Sequence, residues 1–249
     1  MKPVFKYILI TFGILLVTGY LAWALLTFPD PKANEVCNRF HIVFLDQSGV
    51  KLISEKEVAE MIDIKGLNPM GKTLKHVRTE EIEELLTKHP FIKQAECFKT
   101  PSGGVYLFLQ QRHPKFRLAG NENFYVDDEK NIIPVSYNDA ARLPVVSGLV
   151  TKSMAKGELF GFVSYLEENP FWNAQIEQIY IRSDRKIELV PRVGTGIILL
   201  GNLKDYEKKL DKLKILYEKG FNQFGWNYYK SIDLQYENQI VCTKIDKLD

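Results

Sequence analysis

The chain has 249 residues, 33 Lys and Arg against 31 Asp and Glu, a net charge of +2, and 45% hydrophobic residues. So balanced a charge, without a basic block, gives no support to nucleic-acid binding or polyanion steering. Three cysteines, Cys37, Cys97 and Cys242, are too few and too far apart for a disulfide framework, and no C-x-x-C spacing suggests a metal.

In chain order, the first feature is an uncharged run of 22 residues from Tyr7 to Phe28. As a helix it has the length to cross a hydrocarbon core of about 30 Å. Lys2 and Lys6 precede it; Asp30, Lys32 and Glu35 follow. The positive-inside bias places residues 1–6 in the cytosol as a short tail and exports everything after Phe28. A cleaved signal peptide competes, because Ala22-Trp23-Ala24 has the small-x-small pattern of a cleavage site. The apolar run continuing through Leu25, Leu26 and Phe28 favours an uncleaved anchor. Both readings export the rest.

Pro29-Asp30-Pro31 ends the apolar helix, since proline lacks the N–H and disfavours helix before it. The next unit reads β-α-α-β-β. Phe40 to Leu45 is a strand; Ser54 to Glu57 has the spacing of a capping box and opens a helix carrying Val58, Met61 and Ile62. Thr79 is placed to cap a second helix with Ile82, Leu85 and Leu86 on one face, closed by Pro90. Ile92 to Lys99 and Val105 to Gln111 form a hairpin around Thr100-Pro101-Ser102-Gly103-Gly104. This is a small α+β domain, expected over 37–112.

After Arg112 short strands recur: Phe116–Ala119, Phe124–Val126, Ile132–Pro134, Gln178–Arg182, Lys186–Val190, Gly196–Leu200 and Ser231–Tyr236. Two helices interrupt them. Lys152–Glu168 stops at Asn169-Pro170, and Leu203–Lys219 carries Leu203, Tyr206, Leu210, Leu213 and Tyr217 on one stripe, with Gly220 as its C-cap. The second domain, 113–246, is therefore a mixed β-rich domain with two helices packed on the sheet, and the whole chain is α+β behind an N-terminal transmembrane helix.

No catalytic constellation emerges. His41, His76, His89 and His113 lack metal-ligand spacing; there is no H-E-x-x-H, no G-x-S-x-G and no G-x-x-x-x-G-K. A hairpin turn accounts for Gly194-Thr195-Gly196, and a solvated turn for the adjacent acids Asp127, Asp128 and Glu129. No catalytic residue, metal ligand or cofactor site is expected, and the chain reads as a non-enzyme.

The order of parts resembles the FtsQ/DivIB family of bacterial cell-division proteins, with a β-α-α-β-β unit like a POTRA (polypeptide-transport-associated) domain. Gln111-Arg112-His113-Pro114 looks like the family's E-R-x-P junction. Tyr125-Val126-Asp127 with Ile132-Ile133 is similar to its "yVD..G.v" hairpin. Leu143 to Gly148 matches L-P-x-x-x-G, and Phe171-Trp172 with Ile176 and Ile179 resembles the segment entering its next strand. Leu189 to Gly201 resembles "l.P..G..v.lG", Leu203 to Leu216 corresponds to the amphipathic helix, and Ile232 to Tyr236 matches I/V-D-L/M-R-Y. Gln111 replaces the usual acid, Lys130 the hairpin glycine and Gln235 the arginine. The resemblance implies a non-enzymatic scaffold of the division machinery in the inner membrane at the septum. Its partners would be single-span proteins of the FtsB/DivIC and FtsL types, connecting it to the septal wall synthase. It places Tyr236 at the family's partner-contact position; Ile240 and Val241 join it as candidates on spacing. A last, edge-lying segment from Ser231 to Lys244 would take a partner strand by backbone pairing. The alternatives are a POTRA-containing envelope protein of outer-membrane assembly or secretion, and, after signal cleavage, an exported enzyme or sugar-binding protein.

Overall fold

The computed structural model describes residues 3–27, 34–46, 50–120, 123–138 and 143–245, without the side chains of 3–10, 24–27, 222 and 224. Helix α1 runs Pro3–Thr27. Its described side chains, 11–23, are all exposed, among them Phe12, Leu15, Leu16, Leu21 and Trp23. Among the described residues no helix is long and apolar enough to cross a membrane. The span expected over 7–28 extends past the described side chains at both ends, so residues 7–10 and 24–28 of that expectation lie outside them.

The chain divides into two compact units. The first holds Met1–Leu45, Glu55–Lys88 and Gln94–Leu109; the second holds Asp46–Ser54, His89–Lys93 and Gln110–Asp249. In the first, β1 (Arg39–Phe44), β2 (Ile92–Lys99) and β3 (Gly104–Gln111) form a sheet in the order β1-β3-β2, with β1 parallel to β3. Period-two alternation along β3 buries Val105, Leu107 and Leu109 and leaves Tyr106 and Phe108 half-buried. Helices α2 (Glu55–Ile64) and α3 (Thr79–Thr87) contribute Val58, Ile62, Ile82 and Leu86 to the core. Thr79 is the first helical residue, not the cap; Arg78 holds that place without a side-chain cap bond, and Glu80 and Glu81 favour the positive helix end instead.

The second unit is built on a nine-stranded sheet, β12-β11-β10-β9-β8-β7-β4-β5-β6. Its strands are β4 (Pro114–Ala119), β5 (Asn123–Asp127), β6 (Ile132–Pro134), β7 (Val145–Gly148), β8 (Ile176–Ile181), β9 (Ile187–Pro191), β10 (Ile197–Gly201), β11 (Tyr229–Asp233) and β12 (Val241–Lys244). Parallel pairs β4–β7, β7–β8 and β10–β11 interrupt an otherwise antiparallel order. Phe116, Phe162, Trp172, Ile179, Leu189, Ile198 and Leu213 lie in one large core cluster of this unit.

Both expected helices of this domain are broken. The first becomes α4 (Lys152–Lys156) and α5 (Glu158–Glu168), parted at Gly157. Thr151 caps α4, its hydroxyl accepting the Met154 N–H at 3.2 Å. Asn169 ends α5 and at once caps α6 (Pro170–Gln175), accepting N–H bonds from Phe171 and Trp172, with Pro170 at the first helical position where its missing N–H costs nothing. The second begins only at Tyr206, as α7 (Tyr206–Ile215), then widens into a π turn over Leu216–Gly220 and continues as α8 (Phe221–Phe224). Gly220 is therefore helical (φ −86°) and not a C-cap; Gly225, at φ +84°, ends the helix.

The expected solvated turn at Asp127 is also corrected. Asp127 is fully buried. Its carboxylate accepts bonds from Arg112 Nη1 (2.9 Å), the Glu129 and Asn131 N–H groups (3.0 and 2.6 Å) and Asn131 Nδ2 (3.1 Å). A buried charge persists only when paired and bonded in this way. Asp128 and Glu129 do face solvent. Beside this cage, buried Gln111 accepts the Leu52 and Ile53 N–H groups on its Oε1, at 2.9 and 3.1 Å. A neutral amide thus performs the accepting role of an acid at that position.

Candidate functional site

Strand β12 lies at one end of the nine-stranded order, so among the described residues β11 is its single neighbour. The pair is antiparallel, with Asp233 opposite Val241, Ile232 opposite Cys242 and Ser231 opposite Thr243. Which backbone groups are free follows from alternation. Leu234 N–H donates to Leu199 O on the β10 side at 3.0 Å. Two residues back, Ile232 also points to β10, so Ser231 and Asp233 point to β12. Their opposite numbers Thr243 and Val241 point inward, and the Ile245 N–H, bonded to Tyr228 O at 3.2 Å, continues that alternation. Cys242 and Lys244 therefore turn their N–H and C=O groups away from the sheet.

The three residues named from the sequence occupy different places around this edge. Tyr236 is not on a strand: β11 stops at Asp233, and Tyr236 sits in the connecting loop, 50% exposed. Ile240 is half-buried against the main core. Val241 opens β12 and is 41% exposed, but its backbone faces β11. The sequence expectation covers Cys242 and Lys244 within the segment Ser231–Lys244 but does not single them out as the outward-facing positions. Four residues, VCTK, offer no apolar alternation strong enough to set a register.

The Tyr236 loop is pinned from below. Lys212 Nζ donates to the carbonyls of Tyr236 (2.7 Å) and Glu237 (2.9 Å). Gln235 folds back onto Asp233, through its N–H at 2.9 Å and its Nε2 at 3.1 Å. An open groove of about 770 Å³ lies beside the loop, carrying Arg185, Lys186, Lys204, Lys208, Lys209 and Lys212 against Asp184, Asp205 and Glu237. Lys209 donates to Asn202 O at 2.7 Å; its partial burial holds its pKa below the ordinary lysine value, with Lys212 adding to the effect and Asp205 opposing it. The edge thus presents exposed backbone, an aromatic ring and a field of net positive sign.

None of the four histidines belongs to the strands or the loop of this edge. His41 stacks on Tyr106 (5.0 Å between ring centroids), His76 Nδ1 is 2.6 Å from Thr73 Oγ1, His89 packs edge-on to Phe91, and His113 Nε2 is 3.3 Å from Asp46 Oδ1. Among the described residues no group of three or more His, Cys, Asp and Glu is placed to hold a metal. All three cysteines are free thiols; burial pushes Cys97 up to about 12 and also raises Cys242, which disfavours their reactive thiolates.

Comparison with protein families matches residues 113–243 to the model described as FtsQ/DivIB, C-terminal related, and residues 35–110 to the POTRA-like domain. The chain belongs to the FtsQ/DivIB C-terminal-related family. No curated protein matches it. The family match spans β4 to within one residue of the end of β12, so it includes the open edge and the Tyr236 loop. Domains of these two types are typically non-enzymatic.

Proposed function

We propose that the protein is a non-enzymatic, single-span scaffold of the bacterial division machinery. In this reading α1 anchors it in the inner membrane with residues 1–6 cytosolic. A POTRA-like domain over 37–112 and a β domain over 113–246 lie outside at the septum. The β domain docks single-span partners of the FtsB/DivIC and FtsL types, and through them reaches the septal wall synthase. The observation that carries this is the edge of β12, unpaired among the described residues, inside an FtsQ/DivIB-related domain. Outward groups at Cys242 and Lys244 can extend the sheet by one strand, and Tyr236 and Val241 offer side chains beside it.

The test separates backbone pairing from folding. Cys242→Pro removes an outward donor, so the detergent-solubilised full chain should keep its unfolding temperature and lose the single-span partners in pull-downs. Val241→Pro removes an inward donor and should lower stability. Tyr236→Ala should weaken partner binding by about 30-fold, as truncation of an interface aromatic does. A folded Cys242→Pro chain and a Tyr236→Ala chain that both retain the partners would place docking elsewhere.

A further inference from the structure

The three-stranded sheet of the first unit has one face in the core and one in the open. On the open face a row of rings crosses all three strands. His41 on β1 stacks on Tyr106 of β3 with centroids 5.0 Å apart; Tyr106 is 6.4 Å from Phe108, and Phe108 is 6.1 Å from Phe98 on β2. Phe98 is 51% exposed, His41 is exposed, and the other two rings are half-buried. Burial in the core explains the opposite face. It does not explain why four rings should line this one, where alternation would ordinarily place polar residues.

Chain length and charge point to what covers it. Among the described residues, Glu35 is the first past α1 whose backbone is tied into the unit, its carbonyl accepting the Leu74 N–H at 2.8 Å. Seven residues, 28–34, therefore link it to α1. Even fully extended, seven residues reach only about 25 Å. A unit held that close to the end of an anchoring helix must turn one of its faces toward the bilayer. The helices cannot supply that face to an anionic surface: α2 and α3 together carry eight acids and a single lysine. The open sheet face sets one cation, Arg39, against one anion, Glu96, so it lacks the acid excess of the helices, and it presents amphipathic rings of the kind enriched in headgroup layers.

We propose that this aromatic face rests on the anionic headgroup layer of the membrane that holds α1, fixing the orientation of the POTRA-like unit. This rests on the proposed membrane anchorage. It is tested on the full chain reconstituted into vesicles, with p-benzoylphenylalanine placed singly for photo-cross-linking. One series of vesicles is phosphatidylcholine alone; in the other about a third of the lipid is phosphatidylglycerol. Probes in place of Phe98, and of exposed Gln94 on the same face, should give phospholipid adducts by mass, about fivefold more in the anionic vesicles. A probe in place of Glu60 on α2 should give none. A probe in place of Leu15 reports on the anchor itself. Lipid adducts at Leu15, with Phe98 and Gln94 no higher than Glu60, would overturn the sheet-face proposal and leave the anchor standing. Absence of adducts at Leu15 would overturn the anchorage and this inference with it. Protein adducts in place of lipid at Phe98 in native envelopes would also overturn it.

Discussion

The two ends of the nine-stranded sheet are finished differently. At one end β6 is three residues long and closes with Pro134, which has no N–H to offer. The chain after it is tied down at once: Ser136 Oγ donates to Leu52 O at 2.6 Å, and Val135 packs against the small cluster of Leu52, Tyr125 and Ile133. At the other end β12 has no proline, its side chains are exposed or half-buried, and the loop before it is held by Lys212 without covering the strand. Among the described residues the nine-stranded sheet thus has one blunted edge and one bare edge, and the bare one is the edge open to strand addition. For the proposed docking, that asymmetry favours β12 over β6.

The largest effect that would sharpen this contrast lies at the blunted end. Asp127 terminates β5 and organises the turn into β6. Asp127→Ala would leave Arg112 with only the more exposed Glu129, at 3.2 Å, and the Glu129 and Asn131 N–H groups without their carboxylate acceptor. The expected loss is about 3–5 kcal/mol in denaturant unfolding of the detergent-solubilised chain, with partner binding retained in the fraction that folds. A loss under about 1 kcal/mol would mean that water replaces the cage, as it does at exposed pairs.

The next effect is kinetic and reads the register directly. If alternation along β12 is as derived, the Val241 and Thr243 amides are bonded to β11, and the Cys242 and Lys244 amides face solvent. Hydrogen exchange should be slower at the first pair by about 100-fold or more, and bound partner should slow the second pair selectively. Equal rates at all four would show that β12 frays as a unit.

Much of this was legible before the structure, and the exceptions share a cause. The β-α-α-β-β order, the core faces of α2 and α3, and most strands after Arg112 follow from period-two and helical spacing of apolar residues, a signal that survives in a single sequence. What failed depended on partners distant in sequence. Asp127 looks like the start of an acidic turn until Arg112, fifteen residues earlier, is brought against it. Gly220 has the position of a helix stop, yet the π turn carries the helix through it. Val145–Gly148 is too short to register as a strand alone; parallel neighbours β4 and β8 make it one. The motif singles out Tyr236 as a candidate on a strand, but its place in a loop depends on β11 ending early, where Gln235 turns back to Asp233.

A smaller effect tests how firmly the blunted edge is sealed. Ser136→Ala deletes the 2.6 Å bond to Leu52 O, which still receives Asn138 Nδ2 at 3.3 Å. Because one donor remains, the cost should be about 1 kcal/mol and not the full penalty of an orphaned carbonyl. The double substitution with Asn138→Ala should cost clearly more than the sum of the two single changes, measured as a coupling energy in a double-mutant cycle. Simple additivity would show that solvent already reaches Leu52 O, and that the edge is less sealed than its geometry indicates.

The smallest effect compares two hairpin turns, one at the blunted edge and one at the middle of the sheet. Lys130, between β5 and β6, and Arg185, between β8 and β9, both adopt left-handed backbone, with φ of 65° and 63°. Such a conformation costs a residue with a Cβ roughly 1–2 kcal/mol, and glycine escapes it at some cost in unfolded-state entropy. The side chains differ. Lys130 Nζ lies 5.0 Å from the centre of the Phe160 ring, a contact worth about 0.5–1 kcal/mol. Arg185 lines the open basic groove. Arg185→Gly should therefore raise stability by about 0.5–1 kcal/mol, whereas Lys130→Gly should come out near neutral because the lost ring contact offsets the relieved strain. If Lys130→Gly proved the more stabilising, its cation–ring contact would be contributing nothing, and lysine at the family's glycine position would be tolerated strain. The expected order makes it instead a substitution compensated by Phe160, one more stabilising contact on the side of the sheet where strand addition is blocked.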